Sequence, residues 1–158
     1  MKRRAVVIFV VFALGIAVII LAFTQVQLSA LQEPGKLETF LATQAKRILI
    51  YRDSRSGIPP APNNLQASVE EGDTLYGTDC AMCHGSDGHT LSDNGRWMYP
   101  RASDLTSLGV QQYSDRELFW IIKNGIRLSG MPGFGKVESD EHIWDLVNYI
   151  RTLPGKEQ

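Results

Sequence analysis

Cys80-Ala81-Met82-Cys83-His84 is the stretch on which the reading of this 158-residue chain turns. Two thiols three residues apart, followed at once by an imidazole, are open to three chemistries. A redox dithiol of the thioredoxin kind uses C-x-x-C, but it belongs beside a βαβ pattern, and no such pattern is visible along the chain. A zinc site wants a second ligand pair at similar spacing, and there is no third cysteine. The remaining chemistry is covalent haem attachment, which the C-x-x-C-H pattern marks. The spacing suits it. Thiols one helical turn apart can add to the two vinyl groups on one edge of a porphyrin. His84 then lies under the ring, where a neutral imidazole nitrogen can bind iron. One motif predicts one covalent haem c, held by Cys80, Cys83 and His84.

Outward from the motif toward the N-terminus, the chain changes character. Residues 5–23 carry no charge and are almost wholly apolar. As a helix they span roughly 28 Å, close to the ~30 Å hydrocarbon core of a bilayer. Lys2, Arg3 and Arg4 precede them, so the positive-inside rule keeps residues 1–4 in the cytoplasm and sends the rest outward. A cleaved secretory signal is the competing reading, but its apolar core runs only about 7–15 residues as a rule. The best cleavage point, after Ala30, has Leu28 where a small residue is preferred. The expectation is an uncleaved, single-pass anchor in the cytoplasmic membrane, with the motif on the periplasmic side. Covalent haem attachment takes place on that side, and the charge rule puts the motif there without reference to haem.

Residues 24–65 read as a connection. Pro34-Gly35 breaks the first helix. Leu37, Phe40, Leu41, Ala45 and Ile48 then recur at helical spacing, with Lys46 and Arg47 on other faces. This predicts a short amphipathic helix lying on its own domain, on the membrane surface or on a partner. Residues 54–64, with Gly57-Ile58-Pro59-Pro60-Ala61-Pro62, read as a stiff linker. The folded domain is expected over 66–158. Charge divides the same way: residues 1–65 hold eight Lys/Arg against three Asp/Glu, and residues 66–158 hold eight against fourteen. The net charge of −1 points to no nucleic-acid partner.

Helix signals dominate residues 66–158. Ser68 with Glu71, and Ser114 with Glu117, fit the capping box. The first opens the helix leading to the cysteines, and the second opens a helix stopped by Gly125. Ser139 opens a third, whose apolar stripe is Ile143, Leu146, Val147, Ile150 and Leu153, ended by Pro154-Gly155. Gly, Ser, Asp and Asn crowd the stretch after Gly85, which reads as loop. The fold class is all-α.

These residues together resemble the class I cytochromes c, small all-helical electron carriers, over about residues 68–153. The family carries a glycine eight residues and an aromatic four residues before its first cysteine, here Gly72 and Tyr76. In its last helix a leucine and, three residues on, an aromatic complete the helix contact, here Leu146 and Tyr149. The resemblance implies a class I cytochrome c fold behind a single N-terminal transmembrane helix. Arg127-Leu128-Ser129-Gly130-Met131-Pro132-Gly133-Phe134-Gly135 resembles the family's methionine loop, which implies that Met131 binds iron opposite His84. Met98, in a loop, is its serious rival; Met1 and Met82 are badly placed, and His89 and His142 read as surface residues. By the same resemblance a loop proline supports the proximal histidine through its carbonyl, with Pro100 the candidate. Trp97, Tyr99 and Arg101 are candidates for the haem propionates.

His/Met ligation leaves iron no open position, which suits one-electron transfer in a respiratory or photosynthetic chain rather than catalysis. The partners expected are redox proteins, and no catalytic residue is expected. Two alternatives remain: a fixed haem subunit of a membrane oxidoreductase complex, and a haem peroxidase or gas sensor whose methionine dissociates. Arg127 and Lys136 flank Met131 and are candidates to steer an acidic partner.

Overall fold

The computed structural model describes residues 2–24 and 29–153. All regular structure among them is helical: α1 (Lys2–Thr24), α2 (Lys36–Asp53), α3 (Leu65–Asp79), α4 (Ala81–His84), α5 (Asp93–Trp97), α6 (Leu108–Gln111), α7 (Asp115–Asn124) and α8 (Asp140–Thr152). The chain divides into two compact units, Met1–Glu33 and Pro34–Gln158. In the first, Arg3–Leu21 of α1 is long and apolar enough to cross a membrane, and none of it is buried.

The second unit is organised by the contact of α3 with α8. Gly72 stands at their crossing because nothing larger fits: a Cβ there would lie 2.1 Å from the Asp145 carbonyl oxygen. Close approach lets Tyr76 pack on Tyr149, ring centroids 5.0 Å apart, over the fully buried Leu146. The helix contact expected of Gly72, Tyr76, Leu146 and Tyr149 is therefore present. The α8 stripe Ile143, Leu146, Val147, Ile150 and Leu153 is buried throughout, and α7 adds Leu118, Phe119 and Ile122 to the same core. Burial of a side chain of this size contributes about 1.5–3 kcal/mol, so the crossing holds a large share of the domain's stability.

Two of the three caps fall where the sequence places them. Ser114 Oγ accepts from Glu117 N, and Glu117 Oε2 accepts from Ser114 N at 2.7 Å. Ser139 Oγ accepts from His142 N at 3.1 Å. Ser68 does not cap α3. The cap falls four residues earlier, where Asn64 Oδ1 accepts from Ala67 N at 3.2 Å. Ser68 is buried in the helix interface instead, donating to Asp145 Oδ1 at 2.5 Å and accepting from Asn148 Nδ2 at 2.8 Å. A buried carboxylate needs such donors, and this need, invisible to a local motif, outweighs capping.

The stretch after Gly85 is less irregular than its composition implies. Ser92 accepts from Gly95 N at 3.1 Å and starts α5, and α6 follows Ser107. Residues 54–64 do not stand free: Ser54 is buried, Ile58 packs against the core, and Pro59 O accepts from Trp144 Nε1 at 3.1 Å. The α2 helix packs against α7, with Ile50 buried. The stop expected at Pro154-Gly155 lies outside the described residues.

Candidate haem site

Cys80 ends α3, and Cys83 and His84 lie in the single turn of α4. Backbone bonds from Cys83 N at 3.1 Å and His84 N at 2.9 Å, both to Cys80 O, hold the two cysteines one turn apart. This is the spacing that the two vinyl groups of haem require. Burial first, with Asp79 and Cys83 nearby, pushes the Cys80 thiol up to about 12. A redox dithiol needs the opposite, a thiolate stabilised at neutral pH.

His84 is oriented by its neighbours. Its Nδ1 lies 2.8 Å from Ser103 O. A carbonyl only accepts, so Nδ1 carries the proton and Nε2 keeps a free lone pair. Burial lowers the His84 pKa against the opposing pull of the Ser103 bond, so the ring is neutral at neutral pH. The supporting carbonyl is that of Ser103, not Pro100. Two backbone bonds bracket Ser103, Ala102 N to Gly95 O at 2.9 Å and Leu105 N to Gly88 O at 2.8 Å, and together they present its carbonyl to the ring. The resemblance pointed to a loop proline, and a backbone carbonyl gives no side-chain signal by which the sequence could have singled out Ser103.

Asp87 holds the loop that leaves His84. Its Oδ1 accepts from Thr90 N at 2.7 Å and His89 N at 2.9 Å, and its Oδ2 accepts from Thr90 Oγ1 at 2.8 Å. These bonds, those from Thr90 foremost, keep its carboxyl down at about 2. Tyr76 hydroxyl donates to Gly85 O at 2.7 Å, tying the α3–α8 contact to the residue after His84.

Met131 lies on the loop between α7 and α8, half-buried against the core that Cys80 and Ala81 also border. The loop is pinned to α7 by Phe134 N to Ile122 O at 3.0 Å and Gly135 N to Lys123 O at 2.9 Å. Its glycines serve close approach: a Cβ on Gly133 would come within 2.6 Å of the Asn124 carbonyl carbon. Met98 lies against the same loop, its sulfur 3.0 Å from where a Gly130 Cβ would stand. His89 Nδ1 pairs with Asp104 at 2.6 Å and His142 Nδ1 with Glu138 at 2.7 Å. Tyr99 hydroxyl donates to Glu38 Oε1 on α2 at 3.1 Å, and Trp97 is largely exposed.

The donor set fits haem c: two thiols at vinyl spacing, an imidazole with one nitrogen engaged and the other free, and a thioether on a pinned loop. The fold and this set define a c-type cytochrome. The family model for cytochrome c oxidase, cbb3-type, subunit III, matches residues 67–150, and the chain belongs to that family. It is 31% identical over 103 residues to a thiosulfate dehydrogenase of Allochromatium vinosum, covering 62% of this chain and 36% of the relative. Its fold is similar to that of a chain in the reducing HAO-like protein complex of Kuenenia stuttgartiensis, with TM-score 0.57, 19% identity, 63% of this chain and 49% of that one. The chain thus spans about a third of the relative's length and about half of the solved chain's. The matched segment is a cytochrome c domain, the kind that carries haem c.

Proposed function

We propose that the chain is a membrane-anchored electron carrier, not itself an enzyme, with one haem c bound through Cys80 and Cys83. In this reading His84 and Met131 would be the protein groups that hold the iron, and α1 remains attached with the haem domain on the periplasmic side. The observation that carries it is the His84 Nδ1 contact to Ser103 O, 2.8 Å long, in the turn that also holds both cysteines. It fixes the tautomer a ligand needs. Bound haem supplies a one-electron iron couple. The chain orients the imidazole, excludes water with its apolar core and offers the thioether. With both groups engaged, the site would favour electron transfer over substrate binding.

Intact mass of the mature protein tests the anchor and the haem count together: one haem added to a chain that retains residues 1–24 is expected. A chain starting near Leu31 would show that α1 is a signal peptide. Met131→Ala should remove the sulfur-to-iron charge-transfer band of the oxidised protein and lower its potential. If the band survives there and disappears in Met98→Ala, Met98 is the ligand. Redox proteins are the partners in this reading. Arg127 and Lys136 are exposed beside the methionine loop and offer positive charge to an acidic partner. Replacing both with Glu should slow electron transfer at low salt and leave the visible spectrum unchanged.

A further inference from the structure

The apolar stripe of α2 is left largely uncovered by the domain that α2 packs on, with Ile48 at the edge of a groove shared with Gln112, Tyr113 and Glu117. Leu37, Phe40, Leu41 and Ile48 share one helical face and are 71%, 59%, 56% and 66% exposed. The adjoining face, with Thr43, Lys46, Arg47 and Ile50, is the one that is covered. Specific contacts fix this rotation. Arg47 Nη2 donates to Gly109 O at 3.3 Å, and its guanidinium lies 5.6 Å from the Tyr113 ring centroid. Ile50 is buried, and Glu38 accepts from Tyr99. An amphipathic helix in a globular protein ordinarily turns its stripe to the core; here the core side is taken by a cation and a β-branched residue, and the stripe is left outside.

We infer that this stripe seats α2 on the lipid surface of the membrane that α1 crosses. The inference rests on the reading of α1 as an attached anchor. Eleven residues, 25–35, separate the end of α1 from the start of α2, so the start of α2 stays within about 40 Å of the end of α1 even if they were fully extended. Charge favours the same surface. Residues 34–56 hold five Lys/Arg against two Asp/Glu, whereas residues 66–158 are net negative with fourteen acids against eight bases. Of its five bases, Lys46 and Arg47 lie on the covered face, which leaves Lys36, Arg52 and Arg55 exposed with the apolar stripe to meet anionic headgroups.

Seating α2 also sets the haem. Glu38 spans Gly35 N at 3.3 Å and the Tyr99 hydroxyl at 3.1 Å. It joins the first turn of α2 to the loop whose Ser103 carbonyl orients His84. The domain would then be held at one inclination to the membrane instead of swinging on a tether.

The test uses the full haem-loaded chain in nanodiscs of phosphatidylethanolamine and phosphatidylglycerol in equal parts. Haem attachment consumes both native thiols, so Leu41→Cys carries a single environment-sensitive fluorophore. Lipids with a quencher near the headgroup should quench it several-fold more than the same label at Thr74→Cys on the exposed side of α3. Changing Leu37 and Ile48 to Gln should abolish the difference and leave the visible spectrum intact. Equal quenching at positions 41 and 74 in a chain that keeps α1 overturns the seating alone. Loss of residues 1–24 by intact mass refutes the anchor reading and removes the tether on which the seating depends. Protection of the label by a co-purifying subunit, or only by a second copy in the same disc, assigns the stripe to protein and overturns the proposal.

Discussion

Two helices of this protein carry apolar stripes of similar period and meet opposite fates. The stripe of α8 is buried from Ile143 to Leu153, while that of α2, from Leu37 to Ile48, is exposed. Part of the difference lies in the stripes, since α8 separates its apolar and polar faces far more cleanly than α2 does. The rest lies in what each helix meets. Gly72 opens a groove on α3 into which α8 sinks until backbone touches backbone. The domain meets α2 with Gly109 O and the Tyr113 ring, groups that suit a cation, and Arg47 takes them. Hydrophobic periodicity therefore identifies a stripe and leaves open what covers it.

Substitutions across the two helices should separate them sharply. Leu146→Ala removes a fully buried side chain and should cost about 2–5 kcal/mol, read from urea denaturation of the haem-loaded protein. Leu41→Ala, in the same assay in detergent, should change stability by no more than about 0.5 kcal/mol. A comparable loss at both positions would mean that the α2 stripe is folded onto the domain, and the contrast would fail.

Gly72→Ala should be nearly as damaging as Leu146→Ala. Its methyl group would overlap the Asp145 carbonyl oxygen, and forced overpacking costs about 1–3 kcal/mol or more. Because Tyr76 links this crossing to Gly85 next to His84, the spectrum of the variant should also shift. Wild-type stability would show that the helices slide apart freely.

Ser68→Ala leaves the buried Asp145 without its hydroxyl donor, and about 1–3 kcal/mol should be lost. A double change with Asp145→Ala should recover part of it. Strict additivity of the two effects would show that the pair is not coupled.

The smallest expected effect is a pH dependence at the start of α8. The hydrogen bond to Glu138 is the main cause that raises the His142 pKa above its ordinary value, with burial opposing it. A raised folded-state pKa contributes stability that is fully present below the unfolded pKa and is lost as pH rises through the folded one. The urea midpoint should fall slightly between about pH 6 and 8 in the wild type, the range where histidine titrates. His142→Gln should flatten that slope. Both partners are partly exposed, so added salt should flatten it too.

Much of the site can be read from the chain because it is local. The thiol spacing, the adjacent imidazole and the caps at Ser114 and Ser139 are each decided within four residues. The α3–α8 contact was legible through resemblance, at Gly72, Tyr76, Leu146 and Tyr149. Trp144 and Asp145 were not: each is buried by partners far along the chain, Phe119 and Pro59 for the first and Ser68 for the second.

By itself the sequence determined the all-helical class, the cysteine–histidine turn and the apolar N-terminal helix, because period and spacing act over one or two turns of chain. Tertiary structure alone decided which carbonyl orients His84, that Ser68 serves Asp145 instead of capping α3, and which way α2 faces. Each of these depends on a group brought in from distant sequence. A backbone carbonyl, a buried carboxylate or an aromatic ring from elsewhere can outweigh a local preference, since leaving it unpaired in the interior costs more than the local motif returns.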